Sequence, residues 1–290
     1  MKVKMFSPLI IGTMRWGIWG ANFSIPQTQD FINDSLGEGL TTFDCADIYG
    51  GYTTEELFGK ALSEMSVERS QMQIISKCGI EMPCDNRNYK VKAYNYSKHH
   101  ILNSVENSLK NLHTDYLDVL LLHRPSPLMN PEEIIESFDI LKSEGKVKHF
   151  GVSNFSVSQF DLINQHFPLI TNQIECSLNE TKAFNDGTLD QLMMKTLSPM
   201  AWSPMGNYFS EETEQNVRIK KVVEKLCEKY NCLEDQLLLA FILKHQAKIL
   251  PILGTSNVEH LKNAVKALEI NIENDDWFLL LEASAGKEVA

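Results

Sequence analysis

The stretch Tyr116–Asn164, YLDVLLLHRPSPLMNPEEIIESFDILKSEGKVKHFGVSNFSVSQFDLIN, decides the fold. Tyr116–Leu122 is an aliphatic run of strand length. Pro131–Ser143 follows, with Asn130 before it and Pro at the first helical position, the pattern of a helix start. Val147–Val152 is a second short apolar run, and Ser156–Asn164 a second helical one. Strand, helix, strand and helix in immediate succession predict parallel pairing with right-handed crossovers.

The alternation extends both ways from this segment. Towards the N-terminus, Met72–Lys77 reads as a strand before the helix Ser97–Leu112. Thr41–Asp44 precedes the helix Thr54–Ser63, which opens on a Thr cap with acids in its first turn. Pro8–Thr13 precedes a helix over Thr28–Glu38. Towards the C-terminus come the strand Ile170–Glu175 with the short helix Thr188–Lys195, then Leu197–Trp202 with two helices, Gln215–Lys229 and Leu233–Lys244. Ile249–Leu253 with Val258–Leu268 and a closing helix Asp275–Ser284 complete the chain. Eight strand–helix units without a Pro-, Gly- or Ser-rich linker predict one domain over residues 1–290. Its class is α/β, a (β/α)8 TIM barrel with two extra helices, one after strand seven and one at the C-terminus. A doubly wound open sheet would want a Gly-rich turn after its first strand, and Gly17–Gly20 (GIWG) lacks the G-x-G-x-x-G spacing.

Composition narrows the partners. The chain of 290 residues carries 27 Lys and Arg against 38 Asp and Glu, a net charge of −11. Nucleic acid and acidic membrane surfaces need a basic face, so neither is expected as a partner. Leu117–Leu122 and Gln236–Leu243 are far shorter than the ~20 residues that span a bilayer. Met1–Gly12 has no small-residue cleavage site, and its apolar run is broken by Pro8, so no signal peptide is read. Cys45, Cys78, Cys84, Cys176, Cys227 and Cys232 include no C-x-x-C pair and read as reduced thiols of a cytoplasmic chain. No metal-ligand cluster stands out; His99-His100 is an isolated pair in a polar stretch.

In such a barrel chemistry gathers at the C-terminal ends of the strands. There strand two ends in Asp44, strand three in Lys77, strand four in His123 and strand five in Ser153-Asn154. Strand six carries Gln173, strand seven ends in Trp202-Ser203, and Tyr49 lies five residues beyond Asp44. Each has a bland reading: an Asp after a strand is often a helix cap, and a lone His is often a structural hydrogen-bonder. Their joint placement at successive strand ends points to a site.

These residues lie in recognisable blocks. Gly39–Gly51, GLTTFDCADIYGG, with its Asp-x-Ala-x-x-Tyr-Gly pattern, resembles the signature of the aldo-keto reductases. Ile74–Gly79 (IISKCG), Leu120–Pro125 (LLLHRP), Gly145–Phe155 (GKVKHFGVSNF), Thr171–Glu175 (TNQIE) and Met200–Pro204 (MAWSP) resemble later blocks of that family, in order. The likeness spans about residues 8–268, and the Asp-Ala-Asp-x-Tyr-Gly-Gly and His-Arg-Pro blocks are similar to a bacterial subgroup of uncharacterised NAD(P)H-dependent oxidoreductases.

The resemblance implies reduction of a small-molecule aldehyde or ketone, with Tyr49 as general acid, Lys77 and Asp44 as its tuners, and His123 at the substrate carbonyl. The family's double-bond reductases carry Glu where His123 stands, so His favours carbonyl reduction. The chemistry is consistent: hydride attack builds charge on the carbonyl oxygen, a free phenol with pKa about 10 is a poorly matched donor, and a neighbouring ammonium lowers that pKa. The implied cofactor is NADPH, with NADH the alternative. Ser153, Asn154 and Gln173 would bind its carboxamide, Trp202 would stack on the nicotinamide, and Ser203 to Gly206 would meet the pyrophosphate. Gly254, Thr255, Ser256 and His260, in LGTSNVEH at the start of the eighth helix, would meet the remaining phosphate. Many members carry Arg at His260 and Glu-Asn at Asn263-Ala264; His is a conditional cation, which leaves cofactor choice open.

For the substrate, Trp16 and Trp19 either wall the pocket or pack against the loop after strand one, and Glu81–Lys98 is expected as a long loop over the mouth. Arg124 would meet an anionic substrate or a nearby Asp. Cys45 and Cys78 are expected to face away from the mouth by strand alternation. A second function class is a cofactor-binding regulatory subunit resembling potassium-channel β-subunits. A non-redox hydrolase using His123 and Asp44 leaves Tyr49, Lys77, Gln173 and Trp202 unexplained. No motif bears on oligomeric state.

Overall fold

A computed structural model describes residues 5–289 of the chain. Its main strands are β1 (Ile10–Gly12), β2 (Thr42–Asp44), β3 (Gln73–Cys78), β4 (Leu117–Leu122), β5 (Val147–Ser153), β6 (Asn172–Glu175), β7 (Met200–Trp202) and β8 (Leu250–Leu253). They form a closed barrel in the order β1-β8-β7-β6-β5-β4-β3-β2. The expected (β/α)8 class is therefore observed. So are the added helices: Glu214–Tyr230 and Glu234–Leu243 both follow β7, and Asn274–Ala285 ends the fold. No helix among the described residues is long and apolar enough to cross a membrane.

Several boundaries differ from the sequence reading, each for a local reason. The first helix runs Ile25–Gly37, starting earlier than Thr28. Ser24 caps it, accepting from the Gln27 backbone N–H while the Gln27 side chain reaches back, and Pro26 fits the first turn, where no N–H is needed. β1 is shorter than Pro8–Thr13, and β3 extends one residue past Lys77 to Cys78. The stretch Glu81–Lys98 is more than a loop: Ala93–Tyr94 pairs antiparallel with Ile80–Glu81 in a small hairpin at the end of β3.

The chain divides into two compact units. The first, Met1–Gln173 with Gly254–Ser256, holds β1 to β5 and the start of β6. Its register sets Gly12 opposite Asp44, Asp44 opposite Ile75, Lys77 opposite Leu121, Leu122 opposite Val152, and Ser153 opposite Gln173. All six residues of β4 are buried, as expected for a strand covered on both faces. Trp16 meets Phe31, Phe58 and Phe43 of β2 edge to face, and Phe150 of β5 forms a second cluster with Phe138 and Phe167.

The second unit, Ile174–Leu253 with Asn257–Ala290, has its own core around Phe241 and Trp277, whose rings stack 4.9 Å apart. The Trp277 indole N–H donates to the Phe241 carbonyl at 2.9 Å. Helix Glu234–Leu243 is buried on every face from Gln236 to Ile242, which explains why its sequence is apolar all round.

Candidate active site

Asp44 is the last residue of β2, and the register places Lys77 two residues beyond Asp44's partner on β3. Residues two apart on a strand share a face, so both side chains project to the same side. The Lys77 ammonium donates to Asp44 Oδ2 at 2.7 Å, to the Cys45 carbonyl at 2.7 Å and to the Tyr49 hydroxyl at 3.1 Å. An ammonium has three donors, and all three are used. The Gln173 side-chain N–H donates to the other Asp44 oxygen at 2.8 Å. The Lys77 side chain is fully buried and that of Asp44 nearly so. A buried ion pair is tolerated when its remaining valences are satisfied, as they are here, and removing one partner strands the other charge.

His123 follows β4 directly. Its backbone N–H donates to the Cys78 carbonyl at 3.0 Å, which continues the β3–β4 ladder. The imidazole meets the Tyr49 ring edge-on with centroids 6.0 Å apart, and its buried Nδ1 has no hydrogen-bond partner. Trp19 meets Tyr49 from another side at 6.3 Å.

The electrostatics divide the roles. Burial raises the Tyr49 phenol above its ordinary value, and the Lys77 charge counters only part of that rise. The lysine lowers the phenol's pKa as expected, but burial outweighs it, so the net shift is upward and the phenol is protonated near pH 7. Burial alone would lower the Lys77 pKa, but Asp44 and then Tyr49 outweigh it and hold the ammonium above the ordinary lysine range. Burial, followed by the charges of Lys77, Arg124 and Lys92, drives His123 well below an ordinary histidine, so the ring is neutral near pH 7. A neutral imidazole beside a protonated phenol makes two hydrogen-bonding groups available to one oxygen without a net charge on either.

Ser153, Asn154 and Gln173 come together as expected. The Ser153 hydroxyl donates to the Gln173 carbonyl at 3.0 Å, and the Asn154 side chain donates to that hydroxyl at 2.7 Å. Asn154 has φ +60, a conformation Asn tolerates better than most side chains. Its backbone N–H donates to the Gln173 carbonyl at 2.9 Å. Through Gln173 this group joins the hydrogen-bond network of Asp44, Lys77 and Tyr49.

Trp16 stands corrected as a pocket wall. It is fully buried, with its ring enclosed by Phe23, Phe31, Phe43 and Phe58. Trp19 is the partly exposed one of the pair, at 41%. In the second unit Trp202 ends β7, Ser203 has φ +49, and the Gly206 N–H donates to the Ser203 carbonyl at 2.8 Å. A side chain at Gly206 would strike Asn179 and Ser177, which accounts for the glycine. Gly254, Thr255 and Ser256 follow β8, and a Cβ on Gly254 would meet open space. His260 is exposed in the first turn of helix Val258–Lys266, capped by Asn257. Cys45 and Cys78 are buried, with burial holding both thiols protonated.

Three contributors escaped the sequence reading. The Cys45 carbonyl is a Lys77 acceptor, a backbone role that no residue type announces. Asn172 pins the turn after β5, its Nδ2 donating to the Phe155 carbonyl at 2.8 Å; a polar residue in a buried strand next to Gln173 was the available sign. The Tyr96 hydroxyl accepts from the Arg124 N–H at 3.0 Å and donates to the Arg124 carbonyl, clamping the backbone just after His123.

The family model described as "Aldo/keto reductase family" matches residues 8–284. The chain is 41% identical to "Uncharacterized oxidoreductase YcsN" of Bacillus subtilis, over 98% of this chain and 96% of that one. It is 38% identical to a 6-dehydroglucose reductase of Agrobacterium fabrum, over 100% of this chain and 99% of that one. Among solved structures, a thermostable aldo-keto reductase crystallised with the inhibitor epalrestat aligns with a TM-score of 0.82 at 26% identity, covering 98% of this chain and 100% of the other. A parallel barrel with hydrogen-bonded Tyr49, Lys77 and Asp44 at one end, matched to one family along almost its whole length, makes this chain a member of the aldo/keto reductase family and an NAD(P)H-dependent oxidoreductase.

Proposed function

We propose that the chain reduces an aldehyde or ketone to the alcohol with NADPH, using Tyr49 as the proton donor. The observation that carries this reading is the Lys77 ammonium, buried and shared between Asp44 at 2.7 Å and the Tyr49 hydroxyl at 3.1 Å. The donor set fits the cofactor: a serine hydroxyl and two side-chain amides, Ser153, Asn154 and Gln173, match a carboxamide in hydrogen-bonding type. The family resemblance assigns Trp202, Ser203, Gly206, Gly254, Thr255, Ser256 and His260 to the same cofactor. When bound, NADPH supplies the hydride, which no side chain can.

The chain's own residues do the rest. The neutral His123 imidazole and the Tyr49 hydroxyl bond the carbonyl oxygen and orient it. As charge builds on that oxygen, Tyr49 gives up its proton, and Lys77 stabilises the phenolate left behind. Asp44 holds Lys77 in place and keeps it charged, and Gln173 fixes Asp44. Trp19, beside Tyr49 and partly exposed, forms an aromatic wall for the substrate. The relative named as a 6-dehydroglucose reductase makes hydroxylated aldehydes the first class to try.

The test is turnover of an aldehyde and ketone panel, sugar-derived aldehydes included, with NADPH and with NADH. Loss of NADPH absorbance with alcohol formation is expected. A folded chain that binds NADPH and reduces nothing in the panel would favour the regulatory-subunit reading instead.

A further inference from the structure

Three successive residues after the candidate acid have left-handed backbones: Gly50 at φ +60, Gly51 at φ +64 and Tyr52 at φ +69. The first two are glycines, for which this conformation is cheap. Tyr52 is a bulky residue in a region that such side chains rarely adopt, a conformation that persists only where its surroundings impose it. The surroundings here are the hairpin that follows β3.

The contacts are specific. The Tyr52 hydroxyl donates to the Ile80 carbonyl at 3.1 Å and accepts from the Met82 N–H at 3.0 Å. The Arg87 guanidinium lies over the Tyr52 ring, 4.4 Å from its centroid. One residue earlier, the Asn86 side chain donates to the Gly51 carbonyl at 2.8 Å. The hairpin therefore grips both Gly51 and Tyr52 from the far side of the turn that carries Tyr49. The same turn closes on itself, with the Thr53 N–H donating to the Tyr49 carbonyl at 3.1 Å and the Thr53 hydroxyl to the Gly50 carbonyl at 2.7 Å. A side chain at Gly50 would strike both Thr53 and Thr54, so the turn has no slack of its own.

We infer that Tyr52 is a positioning residue, through which the hairpin holds the Tyr49 turn in its left-handed form and keeps the Tyr49 hydroxyl on the Lys77 ammonium. The inference rests on the proposed role of Tyr49. It explains why a phenol, and not merely an aromatic ring, stands at position 52: the hydroxyl occupies a backbone-like place between one carbonyl and one N–H of the hairpin. The hairpin then serves the chemistry, and a substrate that displaces it would disturb the proton donor.

Tyr52→Phe removes the two hydroxyl bonds and keeps the ring under Arg87. Asn86→Ala removes the grip on Gly51 from an exposed position and guards against a Tyr52 variant that fails to fold. Each would be measured for kcat with 4-nitrobenzaldehyde and NADPH, for its pH profile, and for NADPH affinity by fluorescence titration. A displacement of about 1 Å costs up to about 100-fold, so Tyr52→Phe is expected to lower kcat by about tenfold or more at unchanged NADPH affinity, with Asn86→Ala smaller in the same direction.

A second readout needs no turnover. In protein labelled with tyrosine carrying 13C at Cζ, Tyr49 is identified by the resonance missing from Tyr49→Phe, and in Tyr52→Phe and Asn86→Ala that resonance should shift. Folded variants with wild-type kcat and pH profile and an unmoved Tyr49 resonance would overturn the inference, as would weakened NADPH binding at unchanged kcat. If Tyr49→Phe itself keeps full turnover, the proposed acid is wrong; the resonance still reports whether Tyr52 positions it.

Discussion

Two acid–base clusters in the first unit sit at opposite ends of its strands and share only β3, through the Ile74 N–H at one end and Lys77 at the other. At the N-terminal end of β4, Asp118 accepts from Arg69 at 2.8 Å, from Lys148 at 3.2 Å and from the Ile74 N–H at 2.9 Å. Tyr116 lies against both cations, and the Lys148 side chain is 48% exposed. At the C-terminal end, Asp44, Lys77 and Gln173 are drier, and the third Lys77 donor goes to the hydroxyl of Tyr49. The ingredients are alike: one carboxylate, basic partners and a tyrosine. The lower cluster uses its tyrosine as a platform for cations and spends every bond on the fold. The upper one aims its cation at a phenol and places beside it a neutral imidazole with an unpartnered Nδ1. The lower cluster locks strands together, and the upper one is the cluster to which we assign proton transfer, in keeping with the division between the two faces of such barrels.

Tyr49→Phe should produce the largest effect. It keeps the ring and removes the proton donor, so turnover should fall by about 10²–10⁴-fold, the scale of general acid catalysis, while NADPH affinity stays near wild type. A well-folded variant with near wild-type turnover would remove the functional half of the comparison.

Asp118→Asn should do the reverse. It takes the charge from the partner of Arg69 and Lys148 and should cost about 1.5–3 kcal/mol of stability, the range for a hydrogen bond to a charged group. The melting temperature should drop while kcat stays at the wild-type value. A fall in kcat measured well below the melting transition would show that the two ends of the barrel are coupled.

The smallest effect concerns Glu55, a buried carboxylate that accepts from the Ser76 hydroxyl at 2.5 Å. Burial raises its pKa from 4.5 to about 6, against the opposing hydrogen bonds of Ser76, Ser108 and Asn111. The folded chain therefore binds more protons than the unfolded chain between those values. The contribution of this group is fully present below about pH 4.5 and is lost as pH rises through about 6, by roughly 2 kcal/mol at 1.36 kcal/mol per pH unit. Glu55→Gln should flatten the urea-denaturation midpoint across that window, and an unchanged slope would contradict the assignment.

The upper cluster was legible in sequence because Asp44, Lys77 and His123 are polar residues at strand ends, and the strand count set those ends side by side, with Gln173 inside strand six and Tyr49 on the loop after Asp44. The lower one was not, since Asp118 sits inside such a run and its partners come from Arg69 and Lys148 on neighbouring segments. The helix start at Ile25 is hidden in sequence because Ser24-Ile-Pro-Gln resembles a loop unless its capping pattern is weighed. The two-residue strands of the hairpin carry no periodicity, so Glu81–Lys98 read as plain loop. Trp16 and Trp19 share one loop and one residue type, and only the packing of Phe23, Phe31, Phe43 and Phe58 tells them apart. Tyr52 left one trace, the two glycines before it, and its strained backbone depends on a hairpin some thirty residues away in sequence.

The central claim is that Lys77 acts on the reaction through Tyr49. Its most direct test is a double-mutant cycle on kcat/KM with Tyr49→Phe, Lys77→Met and both together. Residues that act as one unit are strongly non-additive. Each single variant should lose activity with the fold retained, although Lys77→Met also strands the buried Asp44. The double variant should then be no slower than Tyr49→Phe alone. If instead the two losses multiply, Lys77 contributes independently of Tyr49, and the proton-relay account is contradicted.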